Sequence, residues 1–299
     1  MKTQVEERFS DFFEKWVCQL ELHLQLLLKI SKESSNESDC KTVVAELTAH
    51  HKDYYTAKWA SAHEDVLAFF VPVWLSPLEN SYLWFTGWKP SMAFQLVNSL
   101  RVRVPGSSLA DMSESQLRKV EELKGKIRVE EEKVEREMER QQTLRPSATD
   151  CTRVRHKSEI LSQVAMADRR MVELARLTSR VKSGGGGVAA EVDGLVEAAV
   201  KGLLGGLEKV MKMADCVRLK TLKGLLEVLN PIQCVDFLVA TSMLQIQMRR
   251  WGRKRESSQS HSSRRHESQS QSQSHSETCA MVQRWLVLDN DVGRRIGTV

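Results

Sequence analysis

Several groupings along this chain hold residue types capable of chemistry. His50-His51, followed by His63, offers imidazoles of the kind that bind zinc or copper. Neighbouring residues on a helix point about 100° apart, so His50 and His51 do not converge on one ion. No cysteine or carboxylate completes the set, and no metal is expected. His23 lies beside an apolar stripe and reads as a surface or capping residue. Ser183-Gly184-Gly185-Gly186-Gly187 has the look of a phosphate cradle. Such a cradle needs a strand before it and a Lys-Ser/Thr partner after it, and neither is present. A flexible linker at 183–187 is the better reading. His261, His266 and His275 sit in a Ser/Gln/His tract and form no defined ligand set. No Ser-His-Asp, Cys-His or paired-carboxylate arrangement emerges, so the chain is not expected to be an enzyme.

What remains is the chemistry of binding. Lys58 to Leu100 contains Trp59, Trp74, Trp84 and Trp88, four of the chain's seven tryptophans. Each can bury about 150–250 Å². The stretch is either the hub of a core or an exposed aromatic face, with Trp74, Trp84 and Trp88 as the partner-binding candidates. A second candidate is the basic run containing Arg249, Arg250, Arg253, Lys254 and Arg255. It suits a nuclear import signal, a patch for an acidic partner, or a solubilising helix end.

Helices must position these residues. Apolar residues from Phe9 to Ile30 form one wide stripe, which predicts a helix over 5–30. Further helices are expected at Thr42–Tyr55, Trp59–Trp74 and Leu78–Trp84. A turn follows at Gly87–Pro90, and a helix capped by the Ser91 hydroxyl comes next. A basic loop covers Arg101 to Ser108. Ser113 and Gln116 have the spacing of a capping box at the head of a long charged helix, whose seam is Leu117, Val120, Ile127, Val134 and Met138. Its interleaved Glu and Lys/Arg suit a solvated bundle face, and its short seam leaves self-association open. Pro146 breaks the pattern, which resumes at Val164, Ala167, Met171, Leu174 and Val181. Two further helices are expected at Val188–Leu229 and Ile232–Trp251. Ser257 to Ser276 lacks the apolar surface needed to offset ordering entropy and reads as disordered. The fold class is therefore all-α: a multi-helix bundle of long antiparallel helices with a disordered C-terminal tail.

Composition agrees with an ordinary globular chain of 299 residues, 41% hydrophobic and 28% charged. The net charge of +5 is local to clusters, so it does not point to a nucleic-acid-binding domain. Six scattered cysteines without a paired spacing suit reduced thiols in the nucleus, with the cytoplasm as a second location. No apolar run approaches the roughly 20 residues of a membrane span, and the acidic, aromatic N-terminus is unlike a targeting peptide.

The segment YLWFTGWKPSMAFQLV at 82–97 resembles the LWIGGFRPSE segment of the plant TGA-like domain. That domain follows the basic zipper in TGA transcription factors and stands alone in the Delay of Germination, or seed dormancy control, family. FSDFFEKWVCQLELHL, from Phe9, is similar to the second group. The resemblance covers about 5–255, taken as one domain, with 256–299 as a low-complexity tail. It implies that MERQQ should run almost directly into VAMADRRMVELARL, so 143–162 reads as an insertion of the kind retained intron sequence would leave. It also implies a regulator of seed dormancy and the abscisic-acid response that acts through protein contacts. The partners implied are abscisic-acid-pathway protein phosphatases, or zipper transcription factors. Two alternatives follow from the same family: a transcription regulator associated with sequence-specific DNA binding, and a haem-binding regulator. No basic zipper precedes the domain, so direct DNA contact is not expected. Some members carry an i, i+4 histidine pair on the last helix as haem ligands. Gln245 and Arg249 stand at the corresponding positions, and neither is an axial ligand.

Overall fold

The structure, a computed structural model, describes residues 2–32, 36–104, 106–143 and 188–262, with backbone only for 32, 142–143, 188–199 and 257–262. Helix α1 (Gln4–Lys32) buries Val5, Phe9, Phe13, Trp16, Leu20 and Leu27. That is the stripe its apolar spacing predicts, and burying each such side chain is worth about 1.5–3 kcal/mol. Its start is a capping box in which the Glu6 carboxylate accepts from the Thr3 N–H at 2.7 Å. The Thr3 hydroxyl accepts from the Glu6 N–H at 3.2 Å.

Helix α2 (Glu37–Glu64) corrects the expectation of separate helices at Thr42–Tyr55 and Trp59–Trp74. The Asn36 side chain caps it by accepting from the Ser38 N–H at 2.7 Å. No Gly or Pro lies between Thr42 and Glu64 to stop it, so it runs through Trp59. Pro72 then pushes Val71 out of the helical region, to φ −129° and ψ 65°. Only the short α3 (Leu67–Phe70) forms before it, and Trp74 lies outside any helix. Helix α4 (Pro77–Ser81) opens with a capping box between Ser76 and Glu79 and stops short of Trp84. Helix α5 (Ser91–Arg103) absorbs the start of the expected basic loop. Ser91 is its first residue rather than its cap: Pro90 holds the cap position, with no side-chain cap bond. A short 3₁₀ turn (Ser108–Asp111) precedes α6 (Glu114–Thr143). The capping box at Ser113 and Gln116 is present, with reciprocal bonds of 3.0 and 3.2 Å.

Helix α7 (Val188–Val228) and helix α8 (Pro231–Ser262) complete the described fold. Helix α8 reaches Ser262, entering the tract expected to be disordered, with no Pro or Gly between Gly252 and Ser262 to end it. The expected insertion 143–162 apart from Thr143, the pattern Val164–Val181, the expected linker 183–187 and the tail beyond 262 lie outside the described residues.

Among the described residues the chain is all-helical, with eight α-helices packed antiparallel. Helices α1, α2 and α8 pack together, α6 pairs with α7, and α5 bridges to α6 and α8. Val120, Ile127, Val134 and Met138 of the α6 seam are buried, as their spacing predicts. Asp236 ties three segments together, accepting from the Ser108 N–H at 2.9 Å, the Ser108 hydroxyl at 2.6 Å and the Ser31 hydroxyl at 3.1 Å.

Candidate functional site: an aromatic turn clamped by buried charges

The turn that carries Trp84 and Trp88 lies where α2, α6 and α7 meet. The Trp84 N–H donates to the Gly87 carbonyl at 2.7 Å. Between them Phe85 has φ 56°, a left-handed conformation that a bulky side chain rarely adopts unless its surroundings enforce it. The enforcement comes from Arg218 of α7. Its Nε donates to the Trp88 carbonyl at 2.7 Å, Nη2 to the Trp84 carbonyl at 2.6 Å and Nη1 to Asp215 at 2.5 Å. Gly87 is required here, because a Cβ would stand 2.9 Å from Arg218 Cζ.

Lys58 of α2 completes the clamp, donating from Nζ to Asp215 Oδ1 at 2.8 Å, to the Thr86 carbonyl at 3.0 Å and to the Thr86 hydroxyl at 2.9 Å. The second Asp215 oxygen accepts from the Trp59 indole N–H at 3.0 Å. The Lys58, Asp215 and Arg218 side chains are 1%, 0% and 1% exposed, so water screens none of them. Burial pushes the Lys58 ammonium down to about 8, against the opposing pull of Asp215. Two cations are tolerated around one aspartate there because every head-group nitrogen and both Asp215 oxygens are also hydrogen-bonded.

Helix α6 holds the other side of the turn. Glu135 accepts from the Trp84 indole N–H at 3.1 Å and from Lys89 at 2.9 Å. One turn earlier, buried Glu131 accepts from the Ser91 N–H at 2.6 Å, supplying from another helix the cap that α5 lacks. Arg218 and Lys89 lie over the Trp84 ring, 5.5 and 5.6 Å from its centroid.

These contacts place the three tryptophan candidates. Trp74 is a core residue, with Phe9 at 4.6 Å and Phe69 at 5.2 Å between ring centroids. Trp84 and Trp88 are half-buried and locked in the turn. Of the basic run only Arg249 is drawn into the bundle, while Arg250, Arg253 and Lys254 stay exposed. Arg249 is buried and donates to the Trp74 carbonyl at 3.1 Å, to Glu79 at 3.4 Å and to Glu14. Its guanidinium lies over Phe13 at 4.8 Å. Arg250 pairs with Glu21 at 3.1 Å and Arg253 with Glu14 at 2.5 Å, while Lys254 is exposed and Arg255 half-buried.

Gln245 and Arg249 do not fit a haem ligand pair. A guanidinium has no lone pair to offer iron, and this one is engaged by Trp74, Glu79, Glu14 and Phe13. The Gln245 side-chain oxygen is enclosed without a hydrogen-bond partner, and an amide oxygen is a weak ligand for haem iron.

The histidines divide between structural roles. His50 Nε2 bonds the Trp16 carbonyl at 3.0 Å and its ring stacks on Trp16 at 4.8 Å, with half-buried His23 5.1 Å away. Burial lowers His50, and burial with the neighbouring imidazoles lowers His51 to about 4. His63 lies apart, 3.5 Å from Glu208. Among the described residues no group of three or more His, Cys, Asp or Glu is placed to hold a metal.

Lys58, Asp215, Arg218, Glu131 and Glu135 escape a reading based on apolar stripes. Their signal is charge inside a stripe: Asp215 and Arg218 interrupt the run Val210, Met211, Ala214, Val217 at a mutual spacing of three.

Comparison with known proteins bears on what this frame serves. The model of the seed dormancy control family, DOG1, matches residues 23–99. The chain is 50% identical to protein DOG1-like 4 of Arabidopsis thaliana over 256 residues, covering 85% of this chain and 96% of that protein. It is 26% identical over 254 residues to the Arabidopsis protein RESPONSE TO ABA AND SALT 1, covering 83% and 96%. A more distant similarity, 23% over 232 residues, joins 78% of the chain to 59% of Arabidopsis transcription factor TGA2.

Proposed function

The chain belongs to the DOG1 seed dormancy control family, and from that premise we propose that it is a non-enzymatic regulator of dormancy that acts by binding other proteins in the abscisic-acid response. The observation that carries the reading is the 50% identity with DOG1-like 4 over nearly the whole of that protein. The similarity to RESPONSE TO ABA AND SALT 1 supports the hormonal setting. The chemistry of the bundle is consistent with a binding role: its most buried charges, Lys58, Asp215 and Arg218, are spent on backbone carbonyls and on one another. The nucleus is the proposed place of action, with the cytoplasm second.

The test is affinity recovery from imbibed seed extract with the full chain as bait. Enrichment of abscisic-acid-pathway protein phosphatases supports the reading. Recovery of neither phosphatases nor transcription factors above a heat-denatured bait would sink it. A second reading, association with zipper transcription factors, rests on the similarity to TGA2. Selective recovery of such factors would favour it.

A further inference from the structure

Helix α1 turns one apolar stripe outward. Lys15, Cys18, Leu22, Leu26 and Lys29 follow one another at spacings of three, four, four and three, which keeps them on one face of the helix. Leu22 and Leu26 are 61% and 46% exposed, and Cys18 is exposed beside them. Both lysines are exposed, and among the described residues neither has an ion-pair partner. Two bare leucines thus lie between two unpaired ammonium groups about 21 Å apart along the helix. An apolar patch rimmed by charge in this way marks a contact surface.

The chain carries a segment with the complementary pattern. Past the Ser/Gln/His tract, Glu277, Met281, Trp285, Leu288 and Asp291 recur at spacings of four, four, three and three. On a helix that is an apolar stripe with a carboxylate at each end, and it spans as many positions as Lys15 to Lys29. The path of the chain brings it within reach. Helix α8 runs antiparallel to α1, with Asp236 against Ser31, Arg250 against Glu21 and Arg253 against Glu14. Its end at Ser262 therefore lies level with the first turns of α1, about 36 Å along the bundle from Lys29. Residues 263–276 extend to about 46 Å, enough to span that gap.

We propose that Glu277–Asp291 folds back as an amphipathic helix onto the exposed stripe of α1, forming an intramolecular strap. Laid antiparallel, Glu277 meets Lys29 and Asp291 meets Lys15, while Met281, Trp285 and Leu288 cover Leu26, Leu22 and Cys18. One turn further on, Arg295 comes level with Asp11, which is exposed on the same stripe. Tethering holds the segment at an effective concentration on the order of millimolar, so this modest contact suffices to keep the face covered.

The test uses the full chain and follows N-ethylmaleimide modification cysteine by cysteine in a mass spectrometer. Cys18 lies under the strap, whereas Cys216 is exposed on α7 and serves as the internal reference. W285E/L288E should speed modification of Cys18 about tenfold or more and leave Cys216 unchanged. K15E/K29E should do the same. Adding E277K/D291K to K15E/K29E should restore the slow rate, because the charges are then exchanged between the two surfaces; a mere folding defect would not be reversed in this way. Carbodiimide coupling should join Glu277 to Lys29 and Asp291 to Lys15 within single chains of a mixture of ¹⁴N and ¹⁵N protein. A Cys18 rate indifferent to W285E/L288E, or not restored by the charge exchange, would overturn the proposal. Couplings that mix the two isotopes would assign the segment to a second copy and overturn the intramolecular strap.

Discussion

Asp215 shows how one buried side chain governs a surface feature. Its single carboxylate is shared by two cations that are themselves almost wholly enclosed. Replacing it with Asn keeps the shape but leaves Lys58 and Arg218 uncompensated, so D215N should cost about 3–5 kcal/mol in urea unfolding. A loss under about 1 kcal/mol would mean the turn is not held by this clamp. Gly87→Ala attacks the same device sterically, through the 2.9 Å approach to Arg218 Cζ. It should cost about 1–3 kcal/mol and alter tryptophan fluorescence. The histidines set a pH dependence. His51 is lowered from 6.5 to about 4, and His50 is lowered too. Between those values the unfolded chain takes up a proton that the folded one refuses. This contribution to stability is therefore complete above about pH 6.5 and drains away as pH falls to 4. The urea midpoint should fall over that window, and less steeply in H51Q; parallel slopes would exclude His51 as a source.

At the scale of elements, the junction of α1, α4 and α8 depends on Arg249 and Gly252. Arg249→Lys preserves charge but not the fork that reaches Trp74, Glu79 and Glu14. It should lose about 2–4 kcal/mol in the same assay, and a neutral result would make those contacts dispensable. A Gly252 Cβ would stand 1.9 Å from the Ser76 hydroxyl, the group that caps α4. Gly205→Ala should do the opposite. With open space at that position it should stabilise the protein by up to about 1 kcal/mol, since only helix propensity changes. Thermal midpoints of the two glycine variants should move in opposite directions.

For the molecule as a whole, the α1–α2–α8 group and the α6–α7 pair meet through Lys58, Asp215 and Arg218, with the aromatic turn between them. Native-state hydrogen exchange of D215N should therefore show α6 and α7 opening more readily than α1 and α8. Uniform acceleration across all the helices would show that the two groups unfold as one. The family resemblance was legible in the turn itself, in Trp84, Gly87, Trp88 and Pro90, without any three-dimensional information.

Local rules alone determined the all-helical class, the α1 and α6 stripes and the capping box at Ser113, because helical periodicity and caps depend on residues a few positions apart. The absence of a histidine pair on α8 was equally plain from residue identity. Tertiary structure decided the rest. Trp74 became core, and Arg249 became a buried tie instead of an exposed signal residue. The charge triad joined positions up to 157 residues apart. Such pairings are set by which helix faces which across the bundle, and spacing along one helix carries no information about its neighbour.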